Sequence, residues 1–206
     1  MKHDRITLVG VLVTLALVGC SSAISRPNLT PDPRLASLPL ADALPGYVLD
    51  STVSGPMAID AAASSTSVDS GTTRNALTGS SFNGGYSRVW TSGDSFVAIV
   101  VFAFDHAVDA GRFEEQEVGW LSSVGTVYLA PESKIPGGHV YVLSGKTKAR
   151  PRQVFCDGVW FGSGDLAFDV RSCDPFPNSS QAVVALAVRQ YTRALASTSS
   201  SPPGNH

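Results

Sequence analysis

The sequence predicts an α+β domain in which helices cover an antiparallel sheet, with one disulfide. Three observations carry this. Residues 86–104 and 153–173 read as two β-hairpins, with turn clusters at Thr91–Asp94 and Gly162–Asp165. A helical pattern follows each hairpin, over residues 105–122 and 178–195. The stretch Phe96–Phe104 (FVAIVVFAF) is apolar at every position, so both of its faces need cover and it is expected as a central strand. At 206 residues the chain allows one domain plus extensions.

The extensions come first. Residues 1–20 read MKHDRITLVGVLVTLALVGC. Lys2 and Arg5 form a short basic region, and Ile6–Val18 is an apolar run interrupted only by Thr7, Gly10 and Thr14. That run is too short to span a bilayer as a helix, which needs about 20 residues, and suits a secretory leader. Its end, Leu17-Val18-Gly19-Cys20, resembles the bacterial lipobox, in which the cysteine thiol is diacylated and the chain is cut just before it. Residues 1–19 are therefore expected to be a lipoprotein signal peptide and Cys20 the lipidated residue. Its acyl chains would hold the protein to the extracytoplasmic face of the cell membrane, because two chains anchor stably where one binds marginally.

Residues 20–44 are expected to be the lipidated cysteine and a flexible tether. Residues 21–44 are rich in Ser, Pro and Ala and contain no aromatic residue. As a coil they would reach about 27 Å. Residues 197–206 (STSSSPPGNH) read as a disordered tail, which leaves 45–196 as the single folded domain.

Within it, Pro56–Ala63 is expected as a short helix with proline in its first turn, and Asp69 as the cap of a second helix ending near Leu77. Asp105 is expected to cap the helix to about Ser122, with Ala110, Phe113 and Trp120/Leu121 inward. Val140–Leu143 is a further strand. In the 153–173 hairpin, pairing positions that sum to 329 sets Cys156 opposite Cys173, Gly158 opposite Arg171 and Trp160 opposite Asp169. Val159 then pairs with Val170, and Phe161 with Phe168, on the other face. One register thus yields an apolar face, a mixed outer face and a bridged cysteine pair. With Cys20 lipidated, Cys156 and Cys173 are the two cysteines left in an exported domain, where a disulfide is expected. Asn178, with Gln181 three residues on, gives a capping box for the last helix. Its inner positions are read as Val184, Ala187/Val188, Tyr191 and Leu195.

The segments FNGGYSRVW and FVAIVVFAF, the acidic-capped helix, the Pro136-Gly137-Gly138 turn and the AVRQYTRAL helix resemble a family of uncharacterised actinobacterial, mycobacterial-type lipobox lipoproteins and secreted proteins. The resemblance spans about residues 45–196. It implies a fold similar to the PsbP-like α/β sandwich, a cell-envelope location and a binding rather than catalytic role, and supplies no functional residues.

A net charge of −2 gives no global attraction to nucleic acid. No G-x-S-x-G elbow is present, and Gly145-Lys146-Thr147 lacks the earlier glycine of a P-loop, since that position is Val140. No catalytic residue, metal site or cofactor is expected. His106, Asp109, Glu114, Glu115 and Glu117 read as a solvated acidic helix face, with a metal or acid/base site as the sharper alternative.

Lys146, Lys148, Arg150 and Arg152 alternate, so on an extended chain they point to one side. They are candidates for an anionic surface, against the plainer reading of a protected edge strand. Tyr86, Trp90, Trp120 and Trp160 are candidates for an apolar cleft, against ordinary core packing. The expected function is a membrane-anchored, non-catalytic binding domain for a lipid, an envelope polymer or a protein. The alternatives are an accessory subunit of an envelope complex and, further off, a hydrolase of unfamiliar type.

Overall fold

A computed structural model describes residues 32–66, 69–129, 134–146, 153–177 and 180–199. Its centre is an antiparallel sheet of eight strands: β1 (Val48–Leu49), β2 (Gly55–Met57), β3 (Phe82–Ser92), β4 (Ser95–Phe104), β5 (Thr126–Leu129), β6 (His139–Lys146), β7 (Gln153–Ser163) and β8 (Leu166–Asp174). The order across the sheet is β1-β3-β4-β8-β7-β6-β5, with β2 also paired to β3. Five helices accompany it: α1 (Pro33–Ser37), α2 (Ile59–Ser64), α3 (Ser70–Thr78), α4 (Ala107–Val124) and α5 (Ser180–Ser199).

The apolar run of β4 is explained by cover on both faces. Ala98, Val100, Phe102 and Phe104 join one core beneath α2, α3 and α4. Val97, Ile99, Val101 and Ala103 join a second core with α5 and the chain around α1. Phe113 of α4 packs on Phe102, Phe104 and Trp160 at ring separations of 5.0, 5.5 and 5.9 Å. Both long hairpins turn through a Gly-Asp pair, with Gly93 at φ 58° and Gly164 at φ 62°, a backbone that suits glycine. The β7–β8 register is the one the sequence predicts: Cys156 faces Cys173, Gly158 faces Arg171, Trp160 faces Asp169 and Phe161 faces Phe168. Cys156 and Cys173 form the disulfide. Asp69 caps α3 through its carboxylate, which accepts from the Thr72 backbone N–H at 3.0 Å.

Several expectations need correction. Gly55–Met57 is a strand on β3, and α2 starts only at Ile59. Pro56 fits there because an edge strand can spare one N–H. Asp105 does not cap α4: the N-cap is His106, without a side-chain bond, and Asp105 instead accepts from Asn83 Nδ2 at 3.0 Å. Residues 32–44 are not loose tether. They form α1 and a segment whose Leu35, Leu38 and Ala43 are buried. Apolar residues spaced among prolines found cover on α5 and β3. Residues 197–199 continue α5 rather than starting a tail.

The inner stripe of α5 runs Val183, Leu186, Ala187, Gln190 and Ala194, while Leu195 is exposed. Of the positions read as inner, Ala187 lies in this stripe, Val184, Val188 and Tyr191 pack at its margin, and Leu195 alone is exposed; the centre is shifted because a polar residue, Gln190, occupies it. Cys20, Asn178 and the segments 1–31 and 200–206 lie outside the described residues.

Candidate functional site

The hairpin face expected to be mixed and outward is the floor of a core. The helices α2–α4 lie on it, so its polar residues are enclosed. Asp169 is fully buried and Arg171 nearly so. Two positions apart on β8, they point to the same face, and the Arg171 guanidinium donates to the Asp169 carboxylate. Arg171 also donates to the Ser65 carbonyl at the end of α2. Tyr141 on β6 reaches across β7 at Gly158 and donates its hydroxyl to Asp169 Oδ1 at 2.9 Å. Only glycine fits at 158: a Cβ there would come within 2.2 Å of the Tyr141 ring.

Arginine keeps its proton under any folding condition, so Asp169 faces a fixed positive charge. Burial pushes the Asp169 carboxyl up, while the Arg171 charge and the Tyr141 hydroxyl oppose that shift.

From above, α4 turns Glu117 into the same space. Its Oε1 accepts from the Thr73 hydroxyl of α3 at 3.0 Å, and Thr73 in turn lies 3.1 Å from the Thr66 hydroxyl. Burial, partly offset by the Thr73 bond, pushes the Glu117 carboxyl up to about 8. It is therefore mostly protonated at neutral pH. Three buried atoms around this network have no partner among the described residues: Glu117 Oε2, Trp160 Nε1 and Arg171 Nε.

One turn earlier, Glu114 approaches His139 of β6, with Oε1 3.6 Å from Nδ1. Burial, with a smaller contribution from Glu115, raises Glu114 to about 7, and burial lowers His139. The distance suggests an ion pair, but both shifts favour the neutral forms, so neither group is held charged by the other. Chemically, the arrangement keeps protons and one ion pair out of water and ties three helices to the sheet.

The acidic face of α4 is thus divided. Glu117 is buried and Glu114 nearly so, while Glu115 and His106 are exposed. The signal was present in the sequence: Glu117 lies four residues from Phe113 and four from Leu121, inside the apolar stripe. Among the described residues, no three His, Cys, Asp or Glu converge as metal ligands.

The four aromatics do not share a cleft. Tyr86 and Trp90 belong to the core under α5, whereas Trp120 and Trp160 belong to the core under α4, with the sheet between them. The reason is strand parity: Trp160 pairs with His139 and Asp169, and Trp90 with Leu49 and Val97, on opposite faces. An open depression of about 120 Å³ lies between α3 and α4, lined by Asn75, Ser80, Asp109, Arg112, Phe113 and Gln116. It includes none of the four aromatics and is smaller than the roughly 300–1,000 Å³ of ordinary ligand pockets. Lys148, Arg150 and Arg152 lie outside the described residues, as does the side chain of Lys146.

With this geometry the protein is defined as a helix-covered antiparallel α+β domain stapled by one hairpin disulfide. No family model matches the chain, and no curated protein does. The resemblance to actinobacterial lipoproteins therefore gains no support there. Among solved structures, the chain is similar to the extracellular domain of PknH from Mycobacterium tuberculosis, at 15% identity over 74% of this chain and 80% of that one, with a TM-score of 0.38. A likeness of that size carries no argument about activity. No helix among the described residues is long and apolar enough to cross a membrane.

Proposed function

We propose that this chain is an extracytoplasmic lipoprotein, anchored through acyl chains on Cys20, whose domain binds a partner without catalysing a reaction. The observation that carries the reading is the leader ending in Leu17-Val18-Gly19-Cys20. The Cys156–Cys173 bridge is consistent with it, since structural disulfides persist mainly in oxidising compartments. The non-catalytic part rests on how the titratable groups are used. Asp169, Arg171 and Glu117 are enclosed between helices and sheet, where they hold packing together. Because the four candidate aromatics are divided between the two faces of the sheet and line no common cleft, the reading favours an envelope protein or polymer over a lipid as partner, recognised on the domain's surface.

Metabolic labelling with a palmitate analogue in a lipoprotein-processing bacterium tests the anchor. The full chain should carry the label and sediment with membranes through a high-salt wash, and Cys20→Ala should do neither. An unlabelled full chain would sink the anchor. Crosslinking of the lipidated protein in cells tests the binding role, which falls if the chain is recovered only as itself.

A further inference from the structure

Residues 32–44 contain one turn-and-a-half of helix, yet side chains from the sheet and α5 grip them along their length. Arg88 of β3 donates to the carbonyls of Ala36, Pro39 and Leu40 at 3.4, 3.0 and 2.7 Å. Arg193 donates to those of Ser37 and Leu38, through Nη2 at 2.6 Å and Nε at 2.9 Å. Gln190 bonds in both directions, giving to the Leu38 carbonyl at 3.1 Å and accepting from the Leu40 N–H at 3.0 Å. Arg189 pairs with Asp42 at 3.1 Å. Strap numbers rise as α5 numbers fall, so the segment runs antiparallel to α5.

Its two ends mark opposite ends of the sheet. At the start, Arg34 pairs with Asp165 in the β7–β8 turn at 2.9 Å, and the Phe104 N–H donates to the Asp165 carbonyl, which places α4's first residues nearby. At the finish, Val48 pairs with Thr91 beside the Gly93 turn. Phe96 and Cys173 pair at that same end, and Phe176, just past β8, is 75% exposed there, as is Val48 at 72%. Lys146 and Gln153, which bracket the basic segment, also pair there. β7 has 11 residues, so the two ends stand about 35 Å apart at 3.3 Å per residue.

We infer that residues 32–44 are a strap that sets the domain's attitude on the membrane: the Asp165 end faces the bilayer, and the Gly93 end, with Val48, Leu49 and Phe176, is presented outward. This rests on the lipid anchor at Cys20 proposed above. Eleven residues, 21–31, separate Cys20 from residue 32, where the strap begins at the Asp165 end. The Gly93 end lies about 35 Å along the sheet from that attachment, far beyond the roughly 8 Å over which charges act at physiological salt.

The test uses the lipidated full chain in phosphatidylcholine vesicles that carry a headgroup acceptor dye. Its three cysteines are the lipidated residue and the disulfide pair, so one added thiol is labelled uniquely. Exposed Val108→Cys reports the Asp165 end, and exposed Ser92→Cys the Gly93 end. Donor fluorescence should be lost more from Val108→Cys than from Ser92→Cys. Arg88→Met, Gln190→Leu and Arg193→Met together should release the strap and make the two losses converge. A flexible spacer inserted between residues 31 and 32 keeps every strap contact and should shrink the difference as it lengthens, so the test survives if the triple variant unfolds. Equal losses in the unmodified strap, a larger loss at Ser92→Cys, or a difference unmoved by the spacer overturns the strap. Protein that does not stay on vesicles at all overturns the anchor itself, and the strap's role with it.

Discussion

Replacing Glu117 with Gln tests the buried network most directly. Gln keeps the shape and can still accept from Thr73, but it cannot ionise. In the native protein the Glu117 carboxyl titrates at about 8, against an ordinary 4.5. A carboxyl raised in the folded state binds its proton more tightly there than in the unfolded chain. Stability is therefore greatest below the unfolded value, declines as pH rises from about 4.5 to about 8, and is level above that. At 1.36 kcal/mol per pKa unit, Glu117 alone should remove about 3–4 kcal/mol between pH 5 and pH 8. Glu114, raised to about 7, should remove roughly 2–3 kcal/mol more. Together these are a large part of the 5–15 kcal/mol by which a domain is usually stable. Urea unfolding followed by tryptophan fluorescence at several pH values provides the assay. The native midpoint should fall as pH rises from 5 to 8. In Glu117→Gln that fall should shrink by about 2 M urea, taking a slope of roughly 2 kcal/mol/M. A variant whose pH dependence equals the native one would refute the burial of an ionisable Glu117. A native stability that climbs from pH 5 to 8 would refute both assignments.

Other substitutions probe neighbouring contacts. Asp169→Asn leaves Arg171 buried without a counter-charge and should cost about 3–5 kcal/mol by denaturant titration, whereas replacing both with apolar residues should cost much less. Gly158→Ala would drive a methyl into Tyr141 and should cost about 1–3 kcal/mol, with loss of the Tyr141–Asp169 bond visible as a shifted tyrosine absorbance. Removing the disulfide by Cys156→Ala with Cys173→Ala, which are 17 residues apart, should cost about 3 kcal/mol in the same titration.

The hairpin shows what the sequence makes legible. Two strands with alternating residues have few registers, and one of them aligns Val159 with Val170, Phe161 with Phe168 and cysteine with cysteine at once. Period-2 chemistry was enough for that. It was not enough to say which face meets water. Asp169 and Arg171 look outward because ionised residues are seldom buried. The contrary signal lay one strand away. β4 is apolar on both faces, so its neighbour β8 must also be covered on both, and a polar residue there must be paired inside. The same reasoning reaches Glu117 through the α4 stripe. The strap was illegible for another reason: its few apolar residues are scattered among prolines, and its backbone carbonyls accept bonds from Arg88, Gln190 and Arg193, which no composition rule registers.

These two kinds of polar contact divide the work between the faces of the sheet. Beneath α5, apolar layers supply adhesion and arginines grip an otherwise irregular strand of chain. Beneath α2–α4, Phe113 and Leu121 supply adhesion, and the charges supply position. Arg171 reaches the carbonyl that ends α2, Glu117 is met by Thr73 of α3, and both side chains come from different elements than the groups they bind. A buried ion pair is a poor source of stability, because taking charges out of water costs about what their attraction returns. It is a good source of register, because a half-turn slip of α2 or α3 would leave buried donors and acceptors without partners. Two short helices, of six and nine residues, could not hold one orientation on a greasy sheet by shape alone. The charges under them make one arrangement much better than its neighbours, and the surface those helices display is fixed as a result.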